Sequence, residues 1–265
     1  MCWKKKSPPL TEITSLRVFL GFGINDYQGA DNDLRGCRPD INNEEKKLNK
    51  QYPRYQCLKY FDAQVTDQFF MSEVRRVMSE LSALARQKGE RGFLYLKYSG
   101  HGTQVPGNEP NGYHEALYLH NGPLIDENIY QLEQETPDNI DVLAKFDSCF
   151  SGNIGEKALR LQYRKVRFMP MMGVPLMTEP VNRLAITDIG QRWVIGSGCG
   201  EEQTSADAYI DDEYQGAYTW ADLQSYAPGI YYLTELISVK TILRSNQFEQ
   251  VPEISGPYDG RFMPE

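Results

Sequence analysis

Three short apolar runs, each closed by a Gly/Ser turn that carries a reactive side chain, constrain this chain more than any other feature. Gly92 to Tyr98 stops at Ser99-Gly100-His101-Gly102, Ile140 to Phe146 stops at Asp147-Ser148-Cys149, and Arg192 to Ile195 stops at Gly196-Ser197-Gly198-Cys199. Nearly continuous apolar strands of this kind are covered on both faces, as in parallel sheets with helical crossovers. Leu16 to Gly21 reads as a first strand running into a long polar loop, Asp40 to Gln51 as a charged helix, and Leu58 to Phe61 as a second short strand. From Thr66 to Gly89, Phe70, Val74, Val77, Met78, Leu81 and Leu84 recur at three- and four-residue spacing, which predicts a long amphipathic helix. Tyr231 to Leu243 predicts a last helix packed back on the sheet. The alternation predicts an α/β fold: a mostly parallel central sheet flanked by helices on both faces, with sites beyond the carboxyl ends of the strands. His101, Cys149 and Cys199 all fall there.

The 265 residues, 40% of them hydrophobic, suffice for one packed interior. We expect an N-terminal extension over 1–15, one domain over 16–245 and a tail over 246–265. A flexible linker is expected at about 153–190; it holds Met169, Met171, Met172 and Met177, read as loose packing, and a basic cluster of Arg160, Arg164, Lys165 and Arg167, read as a solvated face.

Charge and cysteine usage exclude several classes. A net charge of -8 repels phosphate backbones, so nucleic acid is not an expected partner and basic peptides are better guests. The five cysteines are odd in number, widely spaced and without a C-x-x-C pair, which argues against a disulfide framework or a zinc site and for a reducing, cytoplasmic setting. Lys4 to Lys6 are followed by no apolar run, so no secretory signal is read. The Leu16 to Ile24 stretch is too short to span a bilayer, and a monomer without membrane attachment is expected.

A cysteine nucleophile needs its thiol activated, most simply by an imidazole. His101, 48 positions before Cys149, is the obvious partner. Both sit in Gly-flanked turns past strand ends, where the amides of Gly102 and Cys149 can cradle an oxyanion. The group that orients His101 is not legible, and a backbone carbonyl is one option.

Tyr98-Ser99-Gly100-His101-Gly102 and Phe146-Asp147-Ser148-Cys149-Phe150-Ser151-Gly152 resemble the paired Y-S-G-H-G and D-S-C-H-S-G signatures of metacaspases. Asn32-Asp33-Leu34-Arg35-Gly36-Cys37, Gly112-Tyr113-His114-Glu115-Ala116-Leu117 and Gln203-Thr204-Ser205-Ala206-Asp207 are similar to three further blocks of that family, in the same order over roughly residues 16 to 245. The resemblance implies a caspase-like fold and a cysteine endopeptidase that cleaves after Arg or Lys through a Cys149/His101 dyad and an acyl-enzyme. It also implies a substrate pocket formed by Asp40, Ser99, Asp147 and Cys37; with such a specificity, the basic cluster from Arg160 to Arg167 has an internal, self-cut cleavage site as the alternative to a solvated face. The His-to-Cys separation agrees with the roughly 50 residues of caspases. Carboxylates suit a bidentate guanidinium, whereas a pocket for Asp would have to be cationic.

Two positions depart from the family. Phe150 stands where a histidine follows the nucleophile, and His114 replaces an aspartate. Related enzymes are activated by calcium; Asp126, Glu127 and Glu156 are the candidate ligands here, with weakened or absent calcium dependence expected because an imidazole supplies no hard oxygen. No cofactor is required for the chemistry. The alternative function is a weak or inactive caspase-like module that binds basic segments, and a specificity for Asn or Asp is a third reading. Cys57 and Cys199 are read as buried small hydrophobes and His120 as structural.

Overall fold

The computed structural model describes residues 11–107, 112–149, 164–169, 192–199, 205–227 and 229–257. In chain order the elements are β1 (Arg17–Gly23), α1 (Cys37–Gln51), β2 (Tyr55–Phe61), α2 (Asp67–Lys88), β3 (Gly92–Ser99), β4 (Gly102–Pro106), β5 (Tyr113–Leu119), β6 (Gly122–Ile125), α3 (Asp126–Gln134), β7 (Ile140–Asp147), β8 (Arg164–Val166), β9 (Trp193–Ser197), β10 (Ala206–Ile210), β11 (Glu213–Gly216), α4 (Ala217–Ser225), α5 (Tyr232–Ser245) and β12 (Glu253–Ser255). The main sheet has the order β12-β9-β7-β3-β1-β2. All of its pairs are parallel except β12 with β9.

Side-chain alternation along the strands makes two cores. Val18, Leu20 and Phe22 of β1 face one side, against Phe70, Val74, Val77, Met78 and Leu81 of α2. Phe19 faces the other, with Ile41 and Leu48 of α1 and the ring of Tyr226. The predicted long helix is there with both ends as read: Thr66 caps it by accepting from the Phe69 amide, and Gly89 closes it at φ 65. Gly21 is required where α1 crosses β1, because a Cβ there would lie 2.7 Å from Ile41 Cγ2.

Two boundaries need correcting. Within the segment expected as a C-terminal tail, Glu253–Ser255 form β12 and Gln250 hydrogen-bonds Gly198 and Ala206, so this stretch is built into the sheet. Of the expected N-terminal extension, Ile13 is buried in the core and its amide donates to Glu80. Two small antiparallel sheets, β4-β5-β6 and β11-β10-β8, were not read from the sequence; β8 lies inside the stretch expected to be linker. No helix among the described residues is long and apolar enough to cross a membrane.

The face of the sheet under α1, α4 and α5 holds a buried ionic block. Lys97 and Lys145 stand directly opposite each other on β3 and β7. Like charges so placed repel unless compensated. Lys145 Nζ binds both carboxylate oxygens of Asp222 at 2.7 and 2.9 Å and Glu235 at 2.7 Å. Lys97 Nζ lies 3.7 Å from Glu44 and 3.9 Å from Asp222. Removing one partner of such a block strands a buried charge. Lys145→Met is therefore expected to lower unfolding free energy by about 3–5 kcal/mol, whereas Lys145→Met/Glu235→Leu loses less; chemical denaturation of the two variants checks this.

Candidate active site

His101 and Cys149 leave the ends of β3 and β7, which are adjacent and in register, with Ser99 opposite Asp147. Both are buried, at 2% and 0% exposure. The His101 ring is held on its far side: Nε2 lies 2.7 Å from the carbonyl oxygen of Asn32, and Tyr27 packs on the imidazole with centroids 4.6 Å apart. A carbonyl only accepts, so Nε2 carries the hydrogen and Nδ1 is the lone-pair nitrogen of the neutral ring. Burial lowers the imidazole to about 4. The orienting group is thus a backbone carbonyl.

The thiol does not hydrogen-bond that ring. Cys149 Sγ donates to the Ser205 carbonyl at 3.3 Å and accepts from the Ser205 amide at 2.5 Å. Burial, aided by the Cys199 thiol, pushes Cys149 far above the ordinary range. Neutral thiol and neutral imidazole is a resting arrangement in which neither group is activated.

The chain's own segment 164–169 lies against the turns that carry both residues. The carbonyl of Arg167 accepts from the amides of both Gly102, at 2.9 Å, and Cys149, at 3.2 Å, which are the two donors expected for an oxyanion. On one side of that carbonyl, β8 pairs antiparallel with β10 and the Arg167 amide donates to Ser205 at 3.1 Å. On the other, the Met169 amide donates to Gly102 at 2.9 Å and the Met169 carbonyl accepts from Thr103 Oγ1 at 2.6 Å. Lys165 Nζ also donates to the carbonyl of Asp33. A peptide laid along a sheet edge in this way is bound by its backbone and sorted by its side chains.

Arg167 itself is 0% exposed, which corrects the reading of its cluster as a solvated face. Nη2 binds Asp40 Oδ2 at 2.8 Å and Asp207 Oδ1 at 3.0 Å; Nη1 binds Ser99 Oγ at 2.7 Å and lies 3.3 Å from Asp147 Oδ2. Every carboxylate is tied in turn. Asp40 accepts from Ser99 and the Gly216 amide, Asp147 from Ser205 and from the amide and hydroxyl of Thr219, and Asp207 from the amides of Arg35 and Gly36. Burial would raise Asp147 most, but Arg167, Lys97 and the hydrogen bonds from Ser205 and Thr219 together outweigh it and hold the carboxyl below its usual value. Asp40 is pushed up to about 6, burial prevailing over Arg167. The expected Asp40, Ser99 and Asp147 therefore surround one guanidinium, and Cys37 is buried beside them, its thiol raised by burial and in contact with Ser99. Asp207 was missed as a pocket residue, although its sequence block was recognised.

Of the calcium candidates, Asp126 and Glu127 share the first turn of α3, while Glu156 lies outside the described residues, as does Phe150. His114 joins the pair: its Nδ1 is 2.7 Å from Glu127 Oε1 and 3.8 Å from Asp126 Oδ1, and the three ligand atoms lie within 4.8 Å of one another. One nitrogen and two carboxylates do not make the set of six to eight oxygens calcium takes. His120 Nδ1 lies 3.1 Å from the Asp26 carbonyl.

The chain is similar to known proteins over most of its length. Metacaspase-1 of Meyerozyma guilliermondii is 25% identical over 294 residues, covering 94% of this chain and 71% of its own length. Metacaspase-1 of Coccidioides immitis is 28% identical over 296 residues, covering 92% of this chain and 62% of its own. Among solved structures, protein GSU0716 from Geobacter sulfurreducens superposes with a TM-score of 0.64 at 21% identity, over 90% of this chain and 92% of that one. Caspase-1 from Spodoptera frugiperda does so with a TM-score of 0.59 at 12% identity, over 91% and 85%. Both share the mostly parallel, helix-flanked fold expected from the sequence. Residues 17–262 match the Caspase domain family, and with the metacaspase relatives this makes the chain a member of that family and a caspase-like cysteine peptidase.

Proposed function

We propose that the chain is an endopeptidase that cuts after Arg, and after Lys less well, using Cys149 as nucleophile and His101 as proton carrier. The observation that supports this is Arg167: a guanidinium caged by three carboxylates while its own carbonyl lies between the amides of Gly102 and Cys149. That is how a substrate carbonyl sits before attack. An ammonium would meet the same charge but not the paired Nη contacts, hence the preference for Arg.

In the reaction, Cys149 turns from Ser205 and yields its proton to His101 Nδ1. The sulfur attacks the carbonyl carbon, and the amides of Gly102 and Cys149 hold the developing oxyanion. His101 then protonates the leaving amine, and water hydrolyses the thioester. Segment 164–169 is the first occupant of the cleft and keeps the enzyme latent until it is cut at Arg167–Phe168 or displaced. The enzyme acts as a monomer on peptide substrates in the reducing cytoplasm.

Fluorogenic peptides with Arg, Lys, Asn or Asp at the cleavage position test the reading. Arg peptides should turn over fastest, wild-type chains should accumulate fragments ending at Arg167, and Cys149→Ala should do neither while keeping its melting temperature. No turnover by the wild type, with basic peptides still bound, would favour the inert binding module instead.

Acid should act first on capture. Asp40 is ionised above about 6 and neutral below, whereas the guanidinium stays charged throughout and His101 stays neutral down to about 4. KM for an Arg peptide is expected to rise as pH falls through about 6 before kcat responds, and Asp40→Asn should flatten that limb.

Calcium is not part of the proposed chemistry, because the His114, Asp126 and Glu127 set does not suit it. Rates in chelator and in millimolar-scale calcium should agree within about two-fold, and a steep requirement would overturn this.

A further inference from the structure

Two buried thiols meet at the ends of β7 and β9. These strands are parallel neighbours with Phe146 opposite Ser197, so the register carried two residues further sets Ser148 beside Cys199, with Cys149 one position beyond. Neighbouring strands run about 4.8 Å apart, so Cys149, one residue past the position opposite Cys199, is carried on closely neighbouring backbone; a disulfide spans Cα separations of about 4.4–6.8 Å. The side chains converge as well. Cys199 Sγ donates to the carbonyl of Ser148, the residue before Cys149, at 3.5 Å, and the Cys199 thiol is among the groups that raise the Cys149 thiol. Cys149, Cys199 and Phe168 form one small apolar cluster, with Cys199 at 3% exposure. Phe168 follows Arg167, so the segment that fills the cleft also covers both sulfurs. Cys37 and Cys57 pack elsewhere, in the two main cores.

We propose that Cys199 is a resolving thiol for Cys149: when segment 164–169 leaves, a hydroperoxide oxidises the pair to a Cys149–Cys199 disulfide that switches the enzyme off reversibly. The Cys149 thiolate attacks the peroxide, the O–O bond breaks, and the sulfur keeps one oxygen as sulfenic acid while alkoxide or hydroxide leaves and takes a proton. The Cys199 sulfur attacks the sulfenic sulfur; the S–S bond forms and the hydroxyl leaves as water with the Cys199 proton. Two thiols and one hydroperoxide thus give a disulfide, an alcohol or water, and one further water, two electrons passing from sulfur to oxygen. A dithiol reductant reverses it by exchange. The disulfide also stops Cys149 from advancing to the irreversible sulfinic acid. Its effect on activity rests on Cys149 being the nucleophile, but its formation does not.

The test treats the full wild-type chain, and an Arg167→Ala chain whose segment lacks its guanidinium anchor, with hydrogen peroxide. Peptide mass mapping should find the Cys149 and Cys199 peptides joined and lighter by two hydrogens, with more joined product in Arg167→Ala. Turnover of an Arg peptide should fall about ten-fold or more and return on adding dithiothreitol. In Cys199→Ser, and in Cys199→Ala as a second variant, the loss should persist after reductant and Cys149 should carry two added oxygens. Absence of the joined peptide in both wild type and Arg167→Ala overturns the proposal, as does full recovery of both Cys199 variants. A joined peptide in a chain that never cuts peptides supports the thiol pair while refuting the protease reading, so the two fail separately.

Discussion

The arrangement of the cleft depends on one buried cation. Asp40, Asp147 and Asp207 come from α1, β7 and β10 and are each almost fully withdrawn from water. Three carboxylates so close repel unless a positive charge sits among them. Arg167 supplies it, and by doing so draws the first turn of α1, which carries Asp40, the strand end that leads into Cys149 and the small β8–β10–β11 sheet around a single point. The three carboxylates are compensated at one point, by a guanidinium whose two terminal nitrogens reach all of them.

Behind the pocket lies a second tier built from the same elements one structural repeat away. Helix α1 gives Asp40 to the pocket and Glu44, one turn on, to the ionic block. Strand β3 gives Ser99 and Lys97, and β7 gives Asp147 and Lys145, each two residues apart on one face of the sheet. Helix α4 gives Thr219, which donates twice to Asp147, and Asp222, which binds Lys145. The pocket therefore cannot shift without disturbing a buried salt-bridge block, which is a physical reason for its geometry to persist when the occupant changes.

The legible part of the site was the part carried by short contiguous motifs. His101, Cys149, Ser99 and Asp147 stand at the ends of apolar strands, where period and turn residues announce them. Asp40 follows the Gly36-Cys37 turn. Asp207 was not assigned to the pocket because its partners there are the amides of Arg35 and Gly36, some 170 positions away, and an amide leaves no mark in sequence. Arg167 was misread for a related reason. In a run with Arg160, Arg164 and Lys165 a basic residue is ordinarily solvated, and only a cage assembled from distant elements makes its burial favourable. β12 and the small antiparallel sheets were missed because strands of three to seven residues give too few alternations to stand out from loop.

What the amino-acid order determined by itself was local: which stretches are strands, where the long helix starts and stops, and which reactive side chains end up at strand ends. Hydrophobic period and capping act over a few residues, so they can be read along the chain. The tertiary structure decided that the chain fills its own cleft, that thiol and imidazole rest neutral and apart, and that Cys149 has a second sulfur beside it. Desolvation and charge pairing sum over groups far apart in the chain, and no local pattern encodes such a sum.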